Sequence, residues 1–270
     1  MEQAIGSGAV ALLVDTAQPN VPAHVTQIVV SSVRDVLGSV AGATFGHPSR
    51  ALKMTGITGT NGKTSTAYIL GEILKANGAT VLVVGTLTGE RTTPEAIDLQ
   101  HQFREFADAG GTHVVMEVSS HGLAMGRVNA ILFDVAVFTN LGRDHLDFHG
   151  THENYFAAKA QLFTPALAQH AVINADDKYG QLLIDVCEVD VTTFGRAGAD
   201  DVRVDVGSVD FRWNSLAIHL SMGGEFSLYN ALAAMTAAQI LGVPDSVIVN
   251  GCMQVTGVPG RFQSVANDDG

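Results

Sequence analysis

A chain of 270 residues with 46% apolar and 16% charged side chains is long enough to bury a large core and too apolar to be disordered, and its 29 glycines follow no collagen period. Fifteen Lys and Arg against 27 Asp and Glu leave a net charge of −12, a field that argues against non-specific nucleic-acid binding but permits an anionic ligand held by a few local donors. Cys187 and Cys252 stand far apart without CxxC or neighbouring-histidine spacing, which indicates neither a disulfide framework nor a zinc site and leaves two buried, inert thiols as the expectation.

In chain order, residues 2–7 read as the middle of a helix, so the N-terminus reads as cut, and the acidic ending Asp268-Asp269-Gly270 reads the same way. The uncharged stretch 4–14 falls short of the ~20 apolar residues of a membrane span. It also lacks the basic front and cleavage site of a signal peptide, which points to the cytoplasm. A small unit follows: an apolar run at 10–14, a second at 28–30 and a helix over 33–43, with His47-Pro48-Ser49-Arg50 as a linker because Pro48 disfavours helix before it. A larger unit then alternates strand 53–57, helix 63–76, strand 80–85, helix 94–109, strand 112–118 and strand 133–138. Uninterrupted runs such as Val81-Leu82-Val83-Val84 fit strands buried on both faces, as in a mostly parallel sheet flanked by helices. Helix 153–163, strand 171–173, helix 178–186, a β-rich stretch 191–220 and helices 228–241 and 246–254 complete it, and Pro259-Gly260-Arg261 reads as the next hinge.

Five segments bear on chemistry. Between the first strand and first helix of the larger unit, Gly59-Thr60-Asn61-Gly62-Lys63-Thr64 lets backbone N–H groups wrap around phosphates, with Lys63 on the outer phosphates and Thr64 on Mg²⁺. Strict phosphate-loop spacing asks for glycine where Ile57 stands, so the loop is a variant. Glu117 ends an apolar strand, where the ligands of open α/β sheets gather, and a carboxylate leaving a buried strand needs a partner such as a phosphate-bridging metal. The neighbouring Ser119 and Ser120 suffice as helix caps. The loop 139–150 packs two carboxylates and two imidazoles with Arg143, a density suited to metal and phosphate handling and equally to a solvated turn. Lys159 shares a helical stripe with Phe156, Ala160 and Phe163; by periodicity alone it reads as a stem snorkelling from the core edge, while true burial would favour the neutral amine. Pro94 suits a first helical position, with Thr93 as its cap and Glu95 and Asp98 complementing the positive end; the Thr92 and Thr93 hydroxyls suit substrate binding as well, and spacing does not decide between the two.

These segments, with Thr92-Thr93-Pro94-Glu95, Glu117-Val118-Ser119-Ser120-His121, Thr139-Asn140-Leu141, Arg143-Asp144-His145-Leu146-Asp147 and Ala157-Ala158-Lys159, resemble the Mur ligases, ATP-dependent amide-forming enzymes of peptidoglycan synthesis and cell wall biogenesis. The Asn-Gly-Lys-Thr loop is shared with folylpolyglutamate and cyanophycin synthetases. The Thr-Thr-Pro-Glu and Glu-Val-Ser-Ser-His segments point to the branch that extends UDP-MurNAc-L-Ala-D-Glu by a diamino acid, meso-diaminopimelate before L-lysine. The resemblance implies an α/β fold in three parts: residues 1–50 as a partial N-terminal domain for the uridine nucleotide, 51–258 as the phosphate-loop-type central ATPase domain, and 259–270 as the start of a truncated domain for the amino acid. It further implies an acyl-phosphate route with ATP and Mg²⁺, a monomer, and a fragment that alone binds ATP weakly and forms no amide.

By the same resemblance the catalytic residues are Lys63, His145 and Lys159, and the metal ligands Thr64, Glu117, His145 and a carbamylated Lys159. Gly59, Thr60, Asn61, Gly62, Lys63, Thr64, Asn230 and Arg261 bind the nucleotide, and Thr92, Thr93, Ser119 and Arg127 the sugar-peptide. Two positions depart from the family pattern: Ser227 replaces a usual Asn on the adenine side, and Met125 a frequent substrate-binding Gln. The competing readings are a folate- or cyanophycin-type ligase on the same ATP core, and a nucleotide-binding module without turnover.

Overall fold

Strands that are apolar on both faces have to be covered on both faces, and that requirement shapes the molecule. The computed structural model describes residues 1–261. A short helix α1 (Glu2–Gly6) precedes a two-stranded parallel sheet of β1 (Ala11–Val14) and β2 (Thr26–Val29), then helix α2 (Val33–Thr44). The linker expected at 47–50 folds as a 3-10 turn over Pro48–Ala51. The chain then enters β3 (Lys53–Thr58), α3 (Lys63–Ala76), β4 (Val81–Val84), α4 (Ala96–Asp108), β5 (His113–Glu117), α5 (Ser120–Ala124) and β6 (Phe133–Phe138). After α6 (Leu146–His149) and α7 (His152–Ala160) come β7 (Ala168–Asn174), α8 (Lys178–Val186) and β8 (Asp190–Phe194). Strands β9 (Asp200–Val204), β10 (Val209–Trp213) and β11 (Leu216–Leu220) precede α9 (Glu225–Ile240) and α10 (Asp245–Met253).

Six strands form one parallel sheet in the order β4-β5-β3-β6-β7-β8. The chain leaves β3 for β4 and β5 on one side, then crosses to β6, β7 and β8 on the other, so the winding reverses at β3. In open α/β sheets the crevice beyond the strand carboxyl ends at that reversal is where ligands bind. One face of the sheet is covered by α3, α9 and α10, with a core that includes Ile57, Ile73, Val137 and Leu232. The other is covered by α4, α5, α7 and α8 around Leu99, Phe103, Phe133 and Phe163. Helix α9 is apolar nearly all round, as expected of a helix held between sheet and neighbours.

The β-rich stretch expected over 191–220 divides in two. β8 joins the parallel sheet as its edge, whereas β9, β10 and β11 form a separate antiparallel sheet. In β10, Val209, Phe211 and Trp213 point into the core while Asp210 and Arg212 face water, the period-two pattern of a one-sided sheet. The helix expected over 153–163 ends at Ala160 and continues as a 3-10 turn over Gln161–Phe163. Cys252 is buried as expected, with its thiol pushed up to about 12 by burial; Cys187 is only half-buried, contrary to expectation, because it lies just past the end of α8. Of the segment expected over 259–270, residues 262–270 lie outside the described residues.

Helix α4 begins at Ala96, with Glu95 rather than Thr93 at its cap position and no side-chain cap bond. The Thr93 hydroxyl is engaged elsewhere: it donates to the Glu117 carbonyl at 2.9 Å and accepts from the Ser119 amide at 2.9 Å. Backbone groups leaving β5 would otherwise be buried without partners, so the end of the strand takes precedence over the helix.

Helices α3 and α10 meet at Gly251, where a Cβ would stand 2.6 Å from Ile73 Cα and 3.1 Å from Ala76 Cβ. Gly251→Ala therefore forces these helices apart, and its expected effect is a loss of roughly 1–3 kcal/mol. A lowered urea midpoint measures it; an unchanged midpoint would show that this contact does not set their spacing.

Candidate functional site

The turn from β3 into α3 is built for close approach. Ile57, where a strict phosphate loop has glycine, is a fully buried core residue of β3, so the open part of the turn is only Gly59 to Gly62. Gly62 adopts φ +89°, and a Cβ there would lie 2.3 Å from Asn230 Oδ1, so α9 admits only glycine at the start of α3. The loop is fastened to the exit of β6. The Thr60 amide donates to the Asn140 carbonyl at 2.9 Å and the Asn61 amide to Asn140 Oδ1 at 3.0 Å. The Asn61 carbonyl accepts from Asn140 Nδ2 at 3.1 Å and from Thr139 Oγ1 at 2.6 Å. Lys63 Nζ donates to the carbonyls of Gly59 and Thr60 at 2.8 and 2.9 Å, and burial lowers its pKa against the pull of Glu117 and Asp144.

Glu117, 2% exposed, meets Thr64 at the end of β5. Thr64 Oγ1 lies 3.0 Å from both carboxylate oxygens, which also accept from the Thr86 amide at 2.9 Å and the Thr86 hydroxyl at 3.2 Å. Among the described residues no basic side chain forms an ion pair with Glu117. A buried carboxylate facing a hydroxyl across a cavity wall suits a hard divalent cation, which prefers oxygen ligands. Among the described residues no three or more His, Cys, Asp or Glu side chains gather as a metal site, so a cation here completes its shell with oxygens from a ligand or water.

Lys159 is 1% exposed, which overturns the snorkelling reading. Its Nζ donates to the Gly59 carbonyl at 2.9 Å and stands 4.7 Å from the centre of the Tyr155 ring. The stripe of α7 that carries it faces the loop rather than solvent, so the amine reaches a buried carbonyl and not water. Burial first, and the charge of Lys63 second, hold its pKa well below the ordinary lysine value. The 139–150 loop brings His145 to the same cavity at φ +53°, with Nε2 3.4 Å from Asp144 and its ring 4.9 Å from that of His121. His149 lies deeper, its Nε2 2.9 Å from Ser120 Oγ, and burial lowers the pKa of both His121 and His149.

Most of these groups line one cavity of about 640 Å³ at the carboxyl ends of β3, β5, β6 and β7. Thr60, Asn61, Gly62, Lys63, Thr64, Thr92, Glu117, Ser119, His145, Lys159, Asn230 and Arg261 all reach it. Gly59, Thr93 and Arg127 do not line it. Thr93 is buried behind the wall, and Arg127 donates from Nη1 to the Thr93 carbonyl at 2.9 Å and pairs through Nη2 with Glu95 at 2.7 Å. Met125 Sδ accepts from Arg127 Nη2 at 3.4 Å, and the Ser227 hydroxyl donates to the Gly223 carbonyl at 2.7 Å.

Sequence reading missed the far lobe of the cavity, formed by Asn174, Asp176, Asp177, Met222, Phe226 and Tyr229. Tyr229 Oη donates to Asp176 Oδ2 at 2.9 Å, and burial together with that carboxylate pushes the phenol up to about 12. The signal was present: Asn174-Ala175-Asp176-Asp177 leaves a buried parallel strand at its carboxyl end, the same position that singled out Glu117.

The depressed pKa of Lys159 sets a pH dependence. Between its folded value and the ordinary value near 10.5 the unfolded chain binds one proton more than the folded chain, so stability rises with pH at up to about 1.4 kcal/mol per unit. Lys159→Met is expected to raise the urea midpoint at pH 7, with the advantage shrinking towards pH 10. A constant difference across that range would show that the amine is not held neutral.

The model of the Mur ligase middle domain matches residues 57–238. A curated relative, the UDP-N-acetylmuramoyl-L-alanyl-D-glutamate–2,6-diaminopimelate ligase of Streptomyces coelicolor, is 41% identical over 286 residues, covering 97% of this chain and 56% of that protein. A solved structure of a ligase of the same name superposes with a TM-score of 0.83 at 29% identity, over 99% of this chain and 59% of that one. The ADP complex of the MurF ligase from Thermotoga maritima shares the fold with a TM-score of 0.71 at 23% identity, over 99% of this chain and 62% of that one. The chain thus spans little more than half the length of the relatives it matches. On the extent of the middle-domain match and of the identity to a curated relative, the chain belongs to the Mur ligase family.

Proposed function

We propose that this chain carries the nucleotide-binding centre of an ATP-dependent amide ligase that adds meso-diaminopimelate to UDP-MurNAc-L-Ala-D-Glu in cytoplasmic peptidoglycan precursor synthesis. The observation that carries the reading is the meeting of Lys63, Thr64, Glu117 and Lys159 in one cavity at the point where the winding of the sheet reverses. The name of the Streptomyces coelicolor relative supports diaminopimelate over L-lysine as the added amino acid. Residues 1–50 serve the uridine nucleotide, 51–258 serve ATP, and the segment from 259 begins the part that brings the amino acid.

In this reading the free carboxylate of the dipeptide takes the terminal phosphoryl group of ATP, and the incoming amine displaces phosphate from the acyl phosphate. The chain's contribution is positioning and charge stabilisation. Amides of the 59–62 loop and Lys63 hold the outer phosphates, while Asn230 and Arg261 hold the nucleoside side. Thr92, Ser119 and His145 line the same cavity and would meet the transferred group; Thr93 and Arg127 act from behind its wall, where Arg127 fixes the backbone of Thr93. Thr64 and Glu117 would hold Mg²⁺, which supplies charge neutralisation at the phosphates. The buried, neutral amine of Lys159 is suited to add to CO₂, with nitrogen bonding to carbon and one proton lost, which gives a carbamate that can join His145 around a second Mg²⁺.

Two measurements on the chain test this. A fluorescent ATP analogue with Mg²⁺ is expected to bind weakly but saturably, with Lys63→Ala reducing affinity at least about tenfold through loss of charge-assisted contacts; equal binding by the variant would refute the loop assignment. ¹³C-labelled bicarbonate is expected to give a carbamate resonance that Lys159→Ala removes. Its absence from the wild-type spectrum at alkaline pH would refute the carbamate role.

A further inference from the structure

Helix α7 carries Lys159, and one turn earlier it carries Tyr155, which is 1% exposed. Tyr155 Oη lies 3.0 Å from Thr60 Oγ1 in the loop between β3 and α3. The same Thr60 oxygen accepts from the Gly142 amide at 2.8 Å, so one hydroxyl joins three segments: the loop, the exit of β6 that leads to His145, and α7. The Tyr155 ring lies under Lys159 Nζ and packs 6.0 Å from His145 and 5.2 Å from His149. Burial raises its pKa, which keeps the phenol protonated and able to donate or accept toward Thr60.

We propose that Tyr155 is a positioning residue: through Thr60 it holds the 59–62 loop in register with α7, so that Lys63 and Lys159 face each other across the Gly59 carbonyl. The geometry favours this over a purely space-filling aromatic. A phenylalanine would fill the same core volume and lie under Lys159 equally well, yet here the hydroxyl points at the one loop side chain that also receives the Gly142 amide. Tyr155 and Lys159 are four residues apart on one helix, so a tie at the first fixes the helix that presents the second. The fastening of the loop to the exit of β6 through Asn140 and Thr139 locates only one side of it; Tyr155 and the Lys159–Gly59 bond locate the side facing α7.

For its effect on nucleotide the proposal rests on the function proposed above, and a second readout keeps the two apart. Tyr155→Phe and Thr60→Val are each expected to weaken binding of the fluorescent ATP analogue about three- to tenfold, the scale of one lost hydrogen bond. The double variant should be no weaker than the worse single one, because both remove the same bond, and Thr60→Ser, which keeps the hydroxyl, should restore most of the affinity. Without nucleotide, amide exchange at Thr60 and Gly142 should accelerate several-fold in Tyr155→Phe relative to amides elsewhere in the sheet, beyond what the small drop in urea midpoint accounts for. Wild-type affinity and exchange in Tyr155→Phe, or fully multiplicative effects in the double variant, overturn the proposal. If the wild-type chain fails to bind the analogue, the nucleotide assignment falls, and the exchange rates still decide whether Tyr155 ties the loop.

Discussion

Two lysines share one acceptor at the centre of this molecule. The Gly59 carbonyl takes hydrogen bonds from Lys63 at 2.8 Å and Lys159 at 2.9 Å, so two amines that repel when charged are held together, Lys159 buried and Lys63 at the cavity wall. Burial disfavours the ammonium form of each, and the charge of Lys63 lowers the pKa of Lys159 further. The nearby carboxylates oppose this only in part: Glu117 acts on Lys63, and Asp144 acts on both lysines. Such a pair is costly to bury and persists only when the surrounding backbone is fixed independently of it. The bonds from Asn140, Thr139 and Tyr155 to the loop supply that fixing, and the choice of glycine at position 62 follows from it, because Asn230 occupies the space where a side chain would go.

The sheet explains why these particular segments meet. A parallel strand delivers its carboxyl end to the same rim as its neighbours, so residues 60, 117, 140 and 174, dispersed in sequence, become adjacent once β5, β3, β6 and β7 lie side by side. The rim is also where polar groups can emerge from strands that are otherwise mostly apolar. Glu117 illustrates the point: the four residues before it lie in a half-buried to buried strand, and its carboxylate is satisfied by the Thr64 hydroxyl of α3 and by the amide and hydroxyl of Thr86, just past β4, rather than by solvent.

The parallel sheet was legible from its uninterrupted apolar runs, and the loop and Glu117 from their position after such runs. What the sequence withheld has physical causes. Lys159 on an apolar stripe reads as a snorkelling side chain, because periodicity reports which face a residue occupies but not whether that face ends at water or at a buried carbonyl. Thr93 before Pro94 reads as a helix cap, because local capping rules do not know that a strand end 24 residues later needs both a donor and an acceptor. Asp176 and Tyr229 are 53 residues apart, and neither has a spacing that announces the other; only the packing of α9 against β7 and β8 brings the phenol to the carboxylate. Short-range patterns thus found the elements and their exits, while the partners of each exit were set by tertiary contacts.

The acidic surplus of the whole chain and the cationic character of its site are reconciled by distance and burial. A net charge of −12 is spread over a surface exposed to screening ions, whose influence falls off over about 10 Å at ordinary salt. Lys63, Lys159 and Arg261 instead converge on one partly enclosed cavity with oriented loop amides, where a smaller amount of positive potential is screened far less. An anionic ligand is therefore drawn by the local donors and not by the molecule's mean charge. The same arrangement gives a reason for keeping Glu117 and Asp144 close by: without them the buried Lys159 and the half-buried Lys63 would leave the site with unbalanced charge whenever either is protonated. Charge balance inside the cavity, rather than overall composition, is what selects the residues found there.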